Sequence, residues 1–326
     1  MLATVEKVKE LLTRTDGLVL AGDESLLRSL PRGNWIGGTI PYFMTAEGGT
    51  ESNDRIFVVE PPPFSIGARI QTYDRRTIAG IGQDSPDNGY TILILPGFSE
   101  LHRQFALEAP RYEQQFMRIV AGWIAGTSLD ALGSVKPKVF AGPAGEVLDD
   151  RGVAIHVELP LTYEAKIGIV NIFEPGDGPS IEFLHSGFEA SECLVDGKRT
   201  SVIDLLEVVK WDLRLPLIAD FCGTKINVSI QAVDIPQRSL KFFAPVFEGV
   251  HYRAAKPIDD YAERFGSAVR SGAGQSVFAC NCVLNYVHGQ LKGRRTGALL
   301  GPMTFGEIAY QLLNQTLVHI SVTERR

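Results

Sequence analysis

Cysteine is sparse in this chain, four among 326 residues. Two of the four, Cys280 and Cys282, flank Asn281, while Cys193 and Cys222 stand alone. That usage excludes the disulfide framework of a small secreted domain. A lone C-x-C pair is also a poor chelate for zinc or iron. Long apolar runs are missing too: none approaches the ~18 residues that a membrane-spanning helix needs. The first ten residues, Met1 to Glu10, mix charge with apolar side chains and lack the apolar core of a signal peptide. Basic runs are absent and the net charge is −6, so no field draws in nucleic acid or an anionic membrane surface. The six histidines, at 102, 156, 185, 251, 288 and 319, form no HxH, HExxH or CxxCH pattern. There is no Walker loop, and Gly80-Ile81-Gly82 lacks the third glycine of a dinucleotide fingerprint. These absences leave a soluble, cytoplasmic globular protein as the expectation.

With 44% hydrophobic and 21% charged residues the composition is globular, and the length suits two domains of ordinary size. A repeat supports that division. Gly145-Glu146 and Gly306-Glu307 stand 161 positions apart, close to half the chain, and each leads into an alternating strand, Val153 to Leu159 and Thr316 to Val322. His156 and His319 fall on the polar faces of these two strands and read as surface or hydrogen-bonded groups. Thr91 to Leu95 is an uninterrupted apolar run, as a strand covered on both faces requires. Tyr112, Phe116, Ile119, Val120 and Trp123 fall on one face of a long helix that Gly126 would cap. Lys225 to Val233 and Leu240 to Val246 alternate about a turn and predict an antiparallel hairpin. The expected fold is α/β (α+β): two related mixed-sheet α/β domains, 1–160 and 161–326, with helices packed on the sheets.

Three places invite chemistry. Thr304 and Glu307 have the spacing of a capping box, followed by Ile308 and Leu312 as the apolar stripe of a helix. Such a helix start could also seat a polar ligand, with Glu307 holding an amino group. Ser99 and His102 follow the buried strand, one turn apart if a helix begins there. They could form a hydrolase pair, although the second glycine of G-x-S-x-G is missing, or Ser99 could simply cap the helix. Cys280 is a candidate nucleophile or a small buried hydrophobe closing a strand. In Asn34 to Phe43, the adjacent Gly37 and Gly38 lie between large apolar groups and mark backbone that turns tightly or approaches something closely. With Trp35, Thr39 and Tyr42, and with Phe98, Phe305 and Gly306, they are candidate lining for a ligand pocket.

The closing stretch resembles the carboxy-terminal part of FIST-type sensory domains: Cys280-Asn281-Cys282 ends a strand, Gly301-Pro302-Met303-Thr304-Phe305-Gly306-Glu307 makes a turn, and Asn314-Gln315-Thr316 opens another strand. Trp35 to Thr39 and Phe140 to Gly145 are similar to that family's two earlier glycine-rich turns. Asn281-Cys282 departs from the pattern, which more often has Gly and Arg there. The resemblance implies a ligand-sensing domain for small molecules such as amino acids, with output through a signalling partner protein because no output domain fits in this chain. Some members bind haem; His288, with Tyr286, Val287 and Leu291 nearby, is the candidate axial ligand here, and no other cofactor or metal is called for.

Overall fold

Apolar runs and alternating segments outnumber helical stripes in this chain, and the fold is accordingly rich in strand: mixed α/β, 43% strand and 18% helix. The computed structural model describes residues 1–209, 211–221, 224–270 and 276–325; Cys222 lies outside them. Among the described residues the strands form four six-stranded sheets and one three-stranded sheet.

The sheet that organises the amino half is built on Gly89–Pro96, buried at all eight positions. This strand runs parallel to Val120–Ala125 and antiparallel to Gly152–Glu158. A second sheet, holding the parallel pair Leu18–Gly22 and Trp35–Thr39, packs on its face. Gly38 makes that approach feasible, since a Cβ there would lie 2.6 Å from the Trp123 ring and 2.8 Å from Ile94. Gly37 and Gly38 are thus packing positions inside a strand, not a ligand-binding turn.

The two halves of the chain share two of the sheets. Gly301–Thr304 pairs antiparallel with Tyr42–Thr45, and Glu307–Ala309 pairs antiparallel with Val120–Ala125. Both Gly-Glu turns lead toward a long strand, through the short strand Glu146–Leu148 before Gly152–Glu158 and through the two short strands Glu307–Ala309 and Gln311–Leu313 before Leu317–Glu324. Their glutamates have opposite fates: Glu146 faces Arg151 near the surface at 3.6 Å, whereas Glu307 is wholly buried.

Several local expectations are overturned by pairing over distance. The stripe from Tyr112 to Trp123 is no helix; Val120–Ala125 is a strand buried at all six positions. Gly122 fixes this, because any Cβ would sit 1.8 Å from the Leu93 carbonyl oxygen, a spacing only a glycine-bearing neighbour strand tolerates. Gly126 therefore caps nothing; it leaves room for the Phe305 ring, 2.3 Å from where its Cβ would be. Thr304 and Glu307 form no capping box either. Thr304 ends one strand and Glu307 begins the next, with Phe305-Gly306 as the turn. Residues 225–233 divide at Ser229: Thr224–Val228 joins Leu217–Phe221, and only Ile230–Asp234 makes the hairpin with Ser239–Val246. Ser229 donates its hydroxyl to Gln315 Oε1 at 2.7 Å, which holds the break in place. Of the two readings of His156 and His319, surface or hydrogen-bonded, the surface one fails, since both are buried. His156 bonds Tyr73 Oη and Thr91 Oγ1, and His319 packs where Gly168 leaves space, a Cβ there lying 2.0 Å from its Nε2.

Candidate functional site

Where Gly89–Pro96 ends, the chain must turn sharply into the helix Glu100–Glu108. Gly97 lies against the Ala125 carbonyl, 2.5 Å from a would-be Cβ, and Phe98 takes a left-handed backbone, φ 62°. Positive φ on a bulky residue is strained, and such strain concentrates at functional turns. Ser99 is the helix N-cap: its Oγ accepts the His102 backbone N–H at 3.1 Å and donates to the Pro96 carbonyl at 2.7 Å. The strained turn is completed by the Phe98 backbone N–H, which donates to His102 Nδ1 at 3.2 Å.

That last bond sets the histidine's chemistry. A backbone N–H can only donate, so Nδ1 is the acceptor and the ring proton of the neutral form resides on Nε2. Nε2 has no partner although the side chain is buried. Burial, reinforced by the Arg103 charge, lowers the pKa to about 4, so the imidazole is neutral at physiological pH. The geometry withholds His102 from Ser99, because the hydroxyl serves the cap and the carbonyl and Nδ1 serves Phe98. Of the two readings of this pair, the N-cap at Ser99 is the one formed, and the hydrolase pairing is not.

His102 lines a cleft of about 430 Å³ at this end of the strands. One wall is Gly97, Phe98, Arg103 and Ile124, with Phe305 contributed by the turn after Gly301–Thr304. The Phe98 and Phe305 rings meet edge to face at 5.8 Å. The opposite wall comes from the three-stranded sheet: Phe188 and Glu189 on one strand, Gln231, Lys241 and Phe243 on its partners. The Arg103 guanidinium lies over the Phe188 ring at 4.7 Å and, among the described residues, pairs with no carboxylate. Lys241 is held by Asp234 at 3.2 Å, and Glu189 accepts the Ser239 hydroxyl at 2.5 Å. A metabolite-sized cleft lined by aromatic and polar side chains in similar measure, at the C-terminal ends of sheet strands, is where α/β folds bind ligands.

The other candidates lie elsewhere. Trp35 donates its Nε1–H to the Pro31 carbonyl and stacks on Phe140 at 6.3 Å, inside the core. Thr39 borders a separate cleft of about 370 Å³, with its hydroxyl bonded to the Gly126 carbonyl and the Lys138 N–H. Tyr42 Oη accepts the Leu129 N–H, and the ring packs on Tyr286. Cys280 is buried with its thiol directed at the Gly122 carbonyl, 3.3 Å away. Burial and the neighbouring Glu307 push the Cys280 and Cys282 thiols well above the usual range, so neither offers the thiolate that nucleophilic attack needs.

Glu307 sits in this same buried region. Its Oε2 accepts both the backbone N–H of Thr316, at 3.1 Å, and its hydroxyl, at 2.8 Å, whereas Oε1 has no hydrogen-bond partner. Thr304 donates to the Asn281 and Gly306 carbonyls. Desolvation outweighs the donors and raises the Glu307 pKa to about 8. It is a neutral acid buttressing a strand junction, not an amine-binding carboxylate at a helix start.

His288 ends the helix Val283–His288, beside exposed Val287 and within the field of Arg214 and Asp212. An imidazole flanked by charge lacks the apolar wall against which a haem plane packs, so these residues do not fit that cofactor. Among the described residues no group of three or more His, Cys, Asp or Glu side chains is arranged to hold a metal ion, and no helix is long and apolar enough to cross a membrane.

Residues 3–323 match the profile of DUF6976, a family of unknown function. The chain belongs to that family. No curated protein matches it. In this DUF6976 member Phe98, His102 and Phe305, which the sequence pointed to separately, meet in one cleft, with Ser99 in the turn beside it, whereas Trp35, Gly37, Gly38, Thr39 and Tyr42 lie outside it. Arg103, Phe188, Glu189, Lys241 and Phe243 went unread. The available signal was Phe242-Phe243 in an alternating strand, where one of two successive aromatics must turn away from the core.

Proposed function

We propose that this DUF6976 member is a cytoplasmic small-molecule sensor of the FIST type, which binds its ligand in the cleft between Phe305 and Phe188 and signals through a partner protein. The observation that carries the reading is the buried His102, whose Nε2–H has no acceptor although its residue lines a cleft of metabolite size. A buried donor left unpaired costs about 1–3 kcal/mol, which a ligand acceptor would recover. The strained Phe98 turn supports the same site. It forces the histidine into one tautomer before any ligand arrives, and preorganisation of this kind favours binding. The FIST resemblance of the 280–316 stretch supports a sensory rather than catalytic role, and the committed hydrogen bonds of Ser99 and the protonated state of Cys280 agree with it.

A thermal-unfolding screen of amino acids, organic acids, aromatic metabolites and nucleotides tests the reading. A compound at a hundredfold excess over its Kd should add about 2.7 kcal/mol to stability. The gain should vanish in Phe305→Ala. No response to any compound, or a response indifferent to Phe305→Ala, sinks the assignment.

A further inference from the structure

We propose that the cleft selects a planar aromatic monocarboxylate, its ring held among Phe98, Phe305, Phe188 and Phe243 and its carboxylate received by Arg103 and by the Nε2–H of His102. This rests on the cleft reading given above and names the class of ligand.

The ring follows from the walls. Phe98 and Phe305 come from two different turns and are set edge to face, and Phe188 and Phe243 stand across from them on the three-stranded sheet. Aromatic pairs prefer such edge-to-face and offset packing, so a flat ring completes the arrangement better than a flexible aliphatic chain. The volume, about 430 Å³, suits one or two fused rings with a short acid arm.

The charge follows from the polar groups. Arg103 is exposed at the rim, consecutive with His102, and no described carboxylate neutralises it. Its planar fork suits a carboxylate. His102 supplies a donor fixed by the Phe98 N–H, and the depressed pKa keeps that donor neutral. One full cation and one neutral donor match a single negative charge. The Lys241 charge is already engaged by Asp234, and Glu189 on the same rim repels a dianion about twice as strongly as a monoanion, so a phosphate dianion is disfavoured.

Access to Nε2 has a structural route. The His102 and Phe188 rings meet edge to face at 6.3 Å. Phe188 belongs to Gly187–Ala190, an edge strand whose pairing with Ser239–Val246 is interrupted by a bulge between Gly187 and Glu189. Bulges re-aim side chains at sheet edges. The Phe188 ring can therefore swing aside without breaking a regular ladder, uncovering the imidazole.

Calorimetric titration of the full chain with matched pairs decides the matter: indole-3-acetate against indole-3-acetamide, and 2-naphthoate against 2-naphthamide. The acids should bind at least about tenfold tighter than their amides. Arg103→Gln, a change at an exposed helical position, should bring each pair to within about threefold while sparing the amides. Phe305→Ala should abolish binding of all four. If the amides bind as well as the acids, or Arg103→Gln leaves the preference intact, the anion assignment fails while the cleft reading stands. If no pair binds but a compound of another class does, in a Phe305-dependent way, the ligand class fails alone. If nothing binds, both fall.

Discussion

Glu307 should make the protein lose stability as the pH rises, and replacing it with Gln should remove that loss. The carboxyl is fully buried and its pKa is raised from 4.5 to about 8, first by desolvation, against the hydrogen bonds from Thr316. In the unfolded chain the group ionises near 4.5, so between 4.5 and 8 the folded state retains a proton that the unfolded state releases. The stability linked to this proton is whole below pH 4.5, declines as the pH rises to about 8, and is constant beyond. A gap of about 3.5 units corresponds to a total loss of about 5 kcal/mol, of which roughly 3 has occurred by pH 7. Glu307→Gln keeps an oxygen to accept the Thr316 N–H and hydroxyl and cannot ionise. Urea midpoints for both proteins at pH 5, 6, 7 and 8, at equal m-values, measure the effect. The variant should be close to wild type at pH 5 and gain steadily, reaching about 4 kcal/mol at pH 8. Other titrating groups cancel in the difference between the two proteins. A difference that stays constant over this range would refute the buried neutral acid and would mean that the Thr316 donors hold a carboxylate already ionised at pH 5.

What could be read from the sequence was local. The N-cap at Ser99 was legible because a cap is made by residues three apart, and the strand at Thr91 to Leu95 because burial on both faces leaves an unbroken apolar run. Val120 to Ala125 was equally buried, but Tyr112, Phe116 and Ile119 before it supplied a helical stripe by coincidence; only Gly122, pressed on the Leu93 carbonyl, distinguishes the strand, and its partner lies 29 positions away. Thr304 and Glu307 obey a local capping rule, yet their bonds go to Asn281 and Thr316, which sequence spacing cannot reveal. Gly37-Gly38 was rightly read as a close approach, but the object approached was Trp123 of another sheet. The cleft was half legible for the same reason. Gly97, Phe98, His102 and Arg103 follow from one strand-to-helix turn, whereas Phe305, Phe188 and Lys241 reach the cleft only through strand pairing elsewhere in the chain.

The remaining predictions concern packing, reactivity and acid stability. Gly38→Ala should destabilise the fold by about 1–3 kcal/mol or more, since its methyl meets Trp123 at 2.6 Å, and Gly122→Ala should be worse because its obstacle is backbone; urea midpoints report both, and a neutral Gly122→Ala would contradict the strand pairing. Cys193, Cys280 and Cys282 are buried and should resist iodoacetamide until denaturant is added, as followed by peptide mass spectrometry; rapid native labelling of Cys280 would restore it as a nucleophile. His102 should weaken the protein in acid. Its pKa falls from 6.5 to about 4 on folding, so the unfolded chain takes up a proton in that range that the folded chain refuses. Stability is therefore intact above pH 6.5 and drops by about 3 kcal/mol as the pH falls to 4. His156 is lowered to about 4 as well, chiefly by burial, and adds a parallel loss. His102→Gln cannot protonate, so relative to wild type it should gain about 3 kcal/mol between pH 7 and pH 4, whatever the cost of disturbing the Phe98 turn at neutral pH. An unchanged difference across that range would show that His102 is not buried as a neutral ring, and with it would fall the donor on which the cleft's ligand preference depends.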